Sequence, residues 1–107
     1  MNSELMIDKI VYITHTEDSF VVFYSFGKSY KNLCSYYTLL KALSDNFVRV
    51  NESTIINFEF VSKCSDEKIE TITGDSFYVS QKYQKSVTNT FFKIKLENFN
   101  NNLQTAK

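Results

Sequence analysis

Phe47-Val48-Arg49-Val50-Asn51-Glu52-Ser53-Thr54-Ile55-Ile56-Asn57 is the stretch on which the reading of this chain turns. Phe47 to Val50 is dominated by residues that fit a pleated, half-buried surface, and it reads as a short strand. Ser53 to Phe58 reads as a second strand, with polar Asn51 and Glu52 between the two. Phe60 to Cys64 continues the run after a kink. Arg49, the only arginine of the chain, lies between two valines, where it binds a phosphate or pairs with a carboxylate that holds the sheet. Asn57 is expected to satisfy backbone groups at a strand end.

Upstream, Lys9 to Thr14, Phe20 to Phe26 and Ser29 to Cys34 read as three consecutive antiparallel strands, because the polar turn Thr16–Ser19 and the turn Gly27-Lys28 are too short for a crossover. Tyr36, Leu39, Leu40 and Leu43 then fall at i, i+3, i+4 and i+7, a helical stripe, with Ser35 placed to cap it. The helix is expected over Tyr36 to Ser44. Downstream, Lys68 to Thr73 and Ser76 to Ser80 flank Gly74-Asp75, a tight hairpin turn. From Gln81 onward the signals conflict. Tyr83, Val87 and Phe91 are spaced by four, which suits a helix, whereas Thr88, Thr90 and Phe91-Phe92 lean toward strand. Asn98 to Lys107 contains four Asn, with Leu103 and Ala106 its only aliphatic residues, and reads as a poorly ordered or helical tail. The organisation is therefore one domain over residues 1–95 and a tail over 96–107.

At 107 residues the chain can hold one core without staples, and a hydrophobic content of 43% argues against disorder. Two Gly and no Pro leave Asn and Asp to supply many turns. Twelve basic residues balance twelve acidic ones, so attraction to nucleic acid would have to come from a local patch rather than from net charge. Cys34 and Cys64 form no C-x-x-C pair and read as reduced thiols. No signal peptide is evident, and no apolar run approaches the roughly 18–20 residues of a membrane span. The expectation is a cytoplasmic protein that makes no membrane contact.

Four pieces of this sequence, in order, resemble the LytTR family of DNA-binding domains. The stretch from Phe47 to Asn57 is similar to the family form Phe-x-Arg-Val-His-Arg-Ser-Tyr-Ile-Val-Asn. Ile10-Val11-Tyr12-Ile13 resembles the first strand, and Ser35 to Leu43 the Ser-Leu-x-x-Leu-x-x-x-Leu helix. Gly74-Asp75-Ser76-Phe77-Tyr78-Val79-Ser80-Gln81-Lys82-Tyr83 resembles Gly-x-x-Ile-Pro-Val-Ser-Arg-Arg-Tyr. The resemblance covers about residues 7 to 92. It implies a mainly β fold, small antiparallel sheets in an elongated sandwich with one short helix. It also implies a bacterial transcriptional regulator that binds double-stranded DNA sequence-specifically, through inter-strand loops in successive major grooves. Members are usually output domains of two-component response regulators. This chain has no room for a receiver domain, so it would be an excised output domain or a stand-alone regulator. Family sites are commonly paired repeats, which implies a second copy of the chain beside the first. No cofactor is implied.

The resemblance places three segments against DNA. The first is the loop into the second strand, Asp18, Ser19 and Phe20. The second is Asn51, Glu52 and Ser53, and the third is Ser80, Gln81, Lys82 and Lys85. Asn51 stands where the family most often has His, and Asn can read adenine. Glu52 replaces Arg, Lys or a neutral residue; it would face phosphates unfavourably but can accept from cytosine. Gln81 and Lys82 replace two Arg, keeping base-reading capacity and one charge. Glu17-Asp18 adds further negative charge.

Other features have plainer readings. Mixed Tyr, Phe and Lys invite a stacking platform for single strands, but aromatics at alternating strand positions are more often sheet core. His15, the sole histidine, has no partners spaced for metal or acid–base work and reads as a surface residue at a strand end. Neither a phosphate-cradling Gly loop nor a nucleophile elbow nor a zinc pattern is present, so no enzyme is expected. Zero net charge, Glu52 and the missing Arg pair favour an alternative, a degenerate LytTR-like domain serving as a protein-interaction or dimerisation module.

Overall fold

A computed structural model describes residues 5–105. β1 (Ile10–His15), β2 (Phe20–Tyr24), β3 (Ser29–Lys31), β4 (Phe47–Asn51) and β5 (Thr54–Asn57) form one antiparallel sheet in the order β3-β2-β1-β5-β4. β6 (Val61–Cys64), β7 (Lys68–Thr71) and β8 (Ser76–Tyr78) form a second antiparallel sheet in that order. α1 (Tyr36–Ala42) and α2 (Gln84–Thr105) are the two helices. The molecule is elongated, 46 × 34 × 24 Å.

The larger sheet is apolar on both faces. Side chains alternate across a strand, so Ile55 enters one core with Ile13, Val22 and Leu39, while Ile56 enters the other with Val61, Ile69, Val87 and Ile94. That is why all four residues of β5 are buried and why two isoleucines stand side by side in it rather than alternating with polar residues. In β1, Ile10 and Ile13 share one core although a regular strand would send them to opposite faces. A register shift between Ile10 and Tyr12 supplies the extra residue. Tyr12 is thereby turned to the other face, stacked on Phe23 with centroids 4.3 Å apart and edge-on to Phe77 of β8 at 4.7 Å. Phe20, Tyr24 and Phe58 are core, the first two as strand alternation implies, whereas Tyr30 and Tyr78 are exposed on their strands.

Asn57 performs the role expected of it. Its Nδ2 donates to the Ile10 carbonyl at 2.9 Å and its Oδ1 accepts from the Glu59 amide at 3.0 Å. The second bond caps the 3-10 turn Phe58–Phe60, the kink that carries the chain from one sheet to the other. Ser35 caps α1 by accepting from the Thr38 amide at 3.0 Å. That helix stops at Ala42, two residues before its expected end, and Leu40 of the stripe is exposed. β3 stops at Lys31 rather than Cys34, because Asn32 takes a left-handed φ of 51° and exchanges bonds with Phe20 through its amide and its Oδ1. β8 stops at Tyr78, where Val79 and Ser80 turn to bond Glu67 and Val50.

The ambiguous C-terminal region is a helix. α2 runs through residues 96–105, where a poorly ordered or helical tail was expected. Residues 1–4 of the expected domain, residues 106 and 107 of the tail, and the side chain of Leu103 lie outside the described residues. The fold is mainly β as anticipated, with α2 added to the one short helix. Among the described residues no helix is long and apolar enough to cross a membrane.

Because Ile56 is fully buried between β5 and the second sheet, Ile56→Ala is expected to cost about 2–5 kcal/mol of stability. Leu40→Ala, on the exposed side of α1, should cost less than about 1 kcal/mol. Urea unfolding of the two variants measures the contrast.

Candidate nucleic-acid interface

Antiparallel pairing sends the C-terminal ends of β1, β3 and β4 and the N-terminal ends of β2 and β5 to one edge of the larger sheet. The loops at that edge are tied together. The His15 amide donates to the Ser53 carbonyl at 2.9 Å, joining the β1–β2 and β4–β5 connections. The segment after β8 joins them through the Ser80 amide, which donates to the Val50 carbonyl at 2.9 Å. Asn51 Nδ2 adds a bond to the Tyr78 carbonyl at 3.0 Å. All three loops expected to act together are therefore neighbours on one edge.

Within them the side chains divide into two kinds. Phe20 is only 3% exposed and packs in the core beside Tyr36, so its side chain is not available to a groove. Asn51 is also 3% exposed. Its Oδ1 accepts from the Ser53 amide and hydroxyl at 3.0 and 3.2 Å while its amide holds β8, so it clamps the turn instead of reading a base. Both expectations are corrected: Phe20 opens β2 and packs into a core, and Asn51 closes β4 with its side chain buried in bonds to Tyr78 and Ser53. Ser19 is half-buried and closes its turn, accepting from the Thr16 amide through its carbonyl at 2.8 Å. Glu52 and Ser53 are exposed at the turn tip. Ser80 caps the 3-10 turn Gln81–Tyr83 by position, and Gln81, Lys82 and Lys85 beyond it are exposed. Lys82 Nζ sits 5.3 Å from the centre of the Tyr83 ring.

Arg49 is bound neither to a carboxylate nor left free. Its Nη1 reaches His15 Nε2 and the Glu52 carbonyl, the latter at 3.4 Å, and its Nη2 donates to the Tyr36 hydroxyl at 3.1 Å. Arginine has no acceptor, so His15 Nε2 must accept and carry no proton. Burial, and then the Arg49 charge, hold the His15 pKa below its ordinary value. His15 is thus a joint between β1, β4 and α1, not a free surface group. Lys31, exposed at the end of β3, also lies on this edge, although nothing local in the sequence marks it.

Strand order arranges the charges in a row. Lys31 comes first, then Glu17 and Asp18, then the Arg49–Ser53 turn with Glu52, and last Lys82 and Lys85. Among the described residues no group of three or more His, Cys, Asp or Glu side chains is gathered to hold a metal ion.

Comparison with protein families matches residues 3–92 to the LytTr DNA-binding domain. Among solved structures, the chain is similar to the LytTr DNA-binding domain of a Bacillus cereus protein described as a methyl-accepting/DNA response regulator. The identity is 17% and the TM-score 0.65, over 80% of this chain and 84% of that one. No curated protein matches the chain.

The His15 joint sets a pH dependence. A histidine near 6.5 when unfolded and lower when folded leaves stability complete above about pH 6.5, and stability is lost as pH falls toward the folded value. The wild-type melting temperature should therefore fall more steeply between about pH 7 and 5 than that of His15→Gln. Parallel curves would remove the joint from the account.

Proposed function

Since the chain belongs to the LytTR family of DNA-binding domains, we propose that it is a transcriptional regulator's domain that reads double-stranded DNA sequence-specifically, with the loops of the Asn51 edge set in the major groove. The observation that carries this reading is the tying of three separate loops into one edge by His15, Val50 and Asn51. A reader built from loops needs them held in fixed relation, because unsupported loops lose entropy on binding.

Division of labour follows from exposure and chemistry. Gln81 offers a donor and an acceptor on one side chain and suits a bidentate base contact. Lys82 reaches a base edge or a phosphate, and Lys85 a phosphate. The Ser53 hydroxyl and the Ser19 turn set the backbone register. Glu52 selects cytosine, whose N4 amino group donates to a carboxylate. Asn51 and Phe20 position these groups from beneath. Two copies lying on paired repeats would double the contact, and the setting is the bacterial cytoplasm where such regulators meet DNA.

A second reading draws on one observation. Glu17, Asp18 and Glu52 are all exposed on the same edge. They favour a protein partner if they outweigh the four cations there. Selection from random duplexes separates the two. Enrichment of a motif, with log K falling on log salt at roughly −0.9 per phosphate neutralised, supports DNA; no enrichment at low salt supports the protein partner.

On the selected site, Lys82→Ala should weaken binding by about 1–3 kcal/mol and relax preference at one base position. Lys85→Ala should weaken all sequences alike and reduce the salt slope by about 1. Titrations across salt concentrations measure both, and unchanged affinity for either variant takes that lysine out of the interface.

A further inference from the structure

The row of the larger sheet nearest the loop edge runs Lys31, Val21, Thr14, Thr54, Asn51, one residue from each strand in the order β3-β2-β1-β5-β4. Residues paired on neighbouring strands share a face. Lys31 therefore projects on the same face as Asn51, whose amide holds β8. Tyr30, its neighbour in β3, takes the other face, edge-on to Tyr24. The backbone under Lys31 is pinned. Asn32, next in the chain, exchanges two bonds of 2.9 Å with Phe20 and so ties the end of β3 to the start of β2. The Lys31 side chain is exposed, and among the described residues it forms no salt bridge and no hydrogen bond.

Strands spaced by about 4.8 Å put about 19 Å between the two ends of this row. A major groove is about 12 Å wide. An edge of that length does not enter the groove whole; its middle goes in and its ends stay over the two backbones. The charges follow the same order. Lys31 stands at the β3 end, and Lys82 and Lys85 stand at the β4 end, where the turn Gln81–Tyr83 packs on β4. The carboxylates of Glu17, Asp18 and Glu52 lie on the two loops between them. Phosphates attract lysines and repel carboxylates, whereas the base edges inside the groove include amino donors that a carboxylate accepts from.

Resting on the DNA-binding reading above, we propose that Lys31 is a phosphate contact, seated on the backbone across the groove from the one that Lys85 holds. It supplies a cation beside the acidic turn Glu17-Asp18, and through it a chain of zero net charge presents a positive end to each backbone.

Titration of the chain against its selected duplex and a scrambled one, at salt concentrations from about 0.05 to 1 M, tests this. At roughly −0.9 in log K against log salt per phosphate neutralised, one lost contact weakens binding about fifteenfold at 0.05 M, about fivefold at 0.15 M and hardly at all at 1 M. Lys31→Ala should show that loss on both duplexes with an unchanged melting temperature. Lys28→Ala removes the same charge beyond the other end of β3 and should leave the slope as it is. An unaltered slope in Lys31→Ala, or an equal drop in Lys28→Ala, overturns the proposal and leaves the DNA reading standing. A wild-type chain that binds no duplex at low salt overturns both. Phosphate ethylation then locates the contact. The phosphate whose ethylation no longer affects Lys31→Ala should lie on the opposite strand from the one that no longer affects Lys85→Ala, and a shared strand overturns the placement across the groove.

Discussion

β5 is the shared wall of this molecule. Ile55 and Ile56, adjacent in sequence, serve two different cores, and Asn57 then fastens the strand's end to Ile10 and caps the turn into the second sheet. Burying both faces of one strand removes register freedom, because a slip of one residue would exchange the two isoleucines and place the polar ends of the strand in apolar surroundings. The order β3-β2-β1-β5-β4 follows from this strand's position, and with it the choice of which loops share an edge.

That edge is built from the backbone outward. Carbonyls of Val50, Ser53 and Tyr78 receive the bonds that hold three loops in place, and the one buried amide among them, Asn51, serves two loops at once. Arg49 adds a second brace by linking His15 on β1 to Tyr36 on α1. In a chain with two glycines and no proline, loop rigidity comes from such side-chain and backbone bonds rather than from restricted dihedral angles.

Much of this was legible in the sequence. The strands around Asn51, the cap at Ser35, the turn at Gly74 and the backbone-satisfying role of Asn57 at a strand end each rest on a local rule, and each is where it was read. The interface segments came from resemblance, and the edge they share was not visible in any one of them. What escaped the reading depends on distant parts of the chain. Nothing local tells that Phe20 packs into a core, that Asn51 is buried in a bond to Tyr78, that Arg49 meets a histidine 34 residues away, or that Lys31 ends on the same edge. α2 escaped for another reason. Its apolar residues lie on two opposite faces, so they blur the one-sided periodicity by which a surface helix is recognised.

The inward commitment of Asn51 also divides the turn into residues that are constrained and residues that are free to vary. Asn51 holds the turn's shape from below, whereas the side chains of Glu52 and Gln81 form no hydrogen bonds among the described residues and stand in solvent. Exchanges at these exposed positions carry little penalty in folding. The shape of the turn and the chemistry it presents to solvent are therefore set by different residues, and a carboxylate at Glu52 leaves the architecture beneath it untouched.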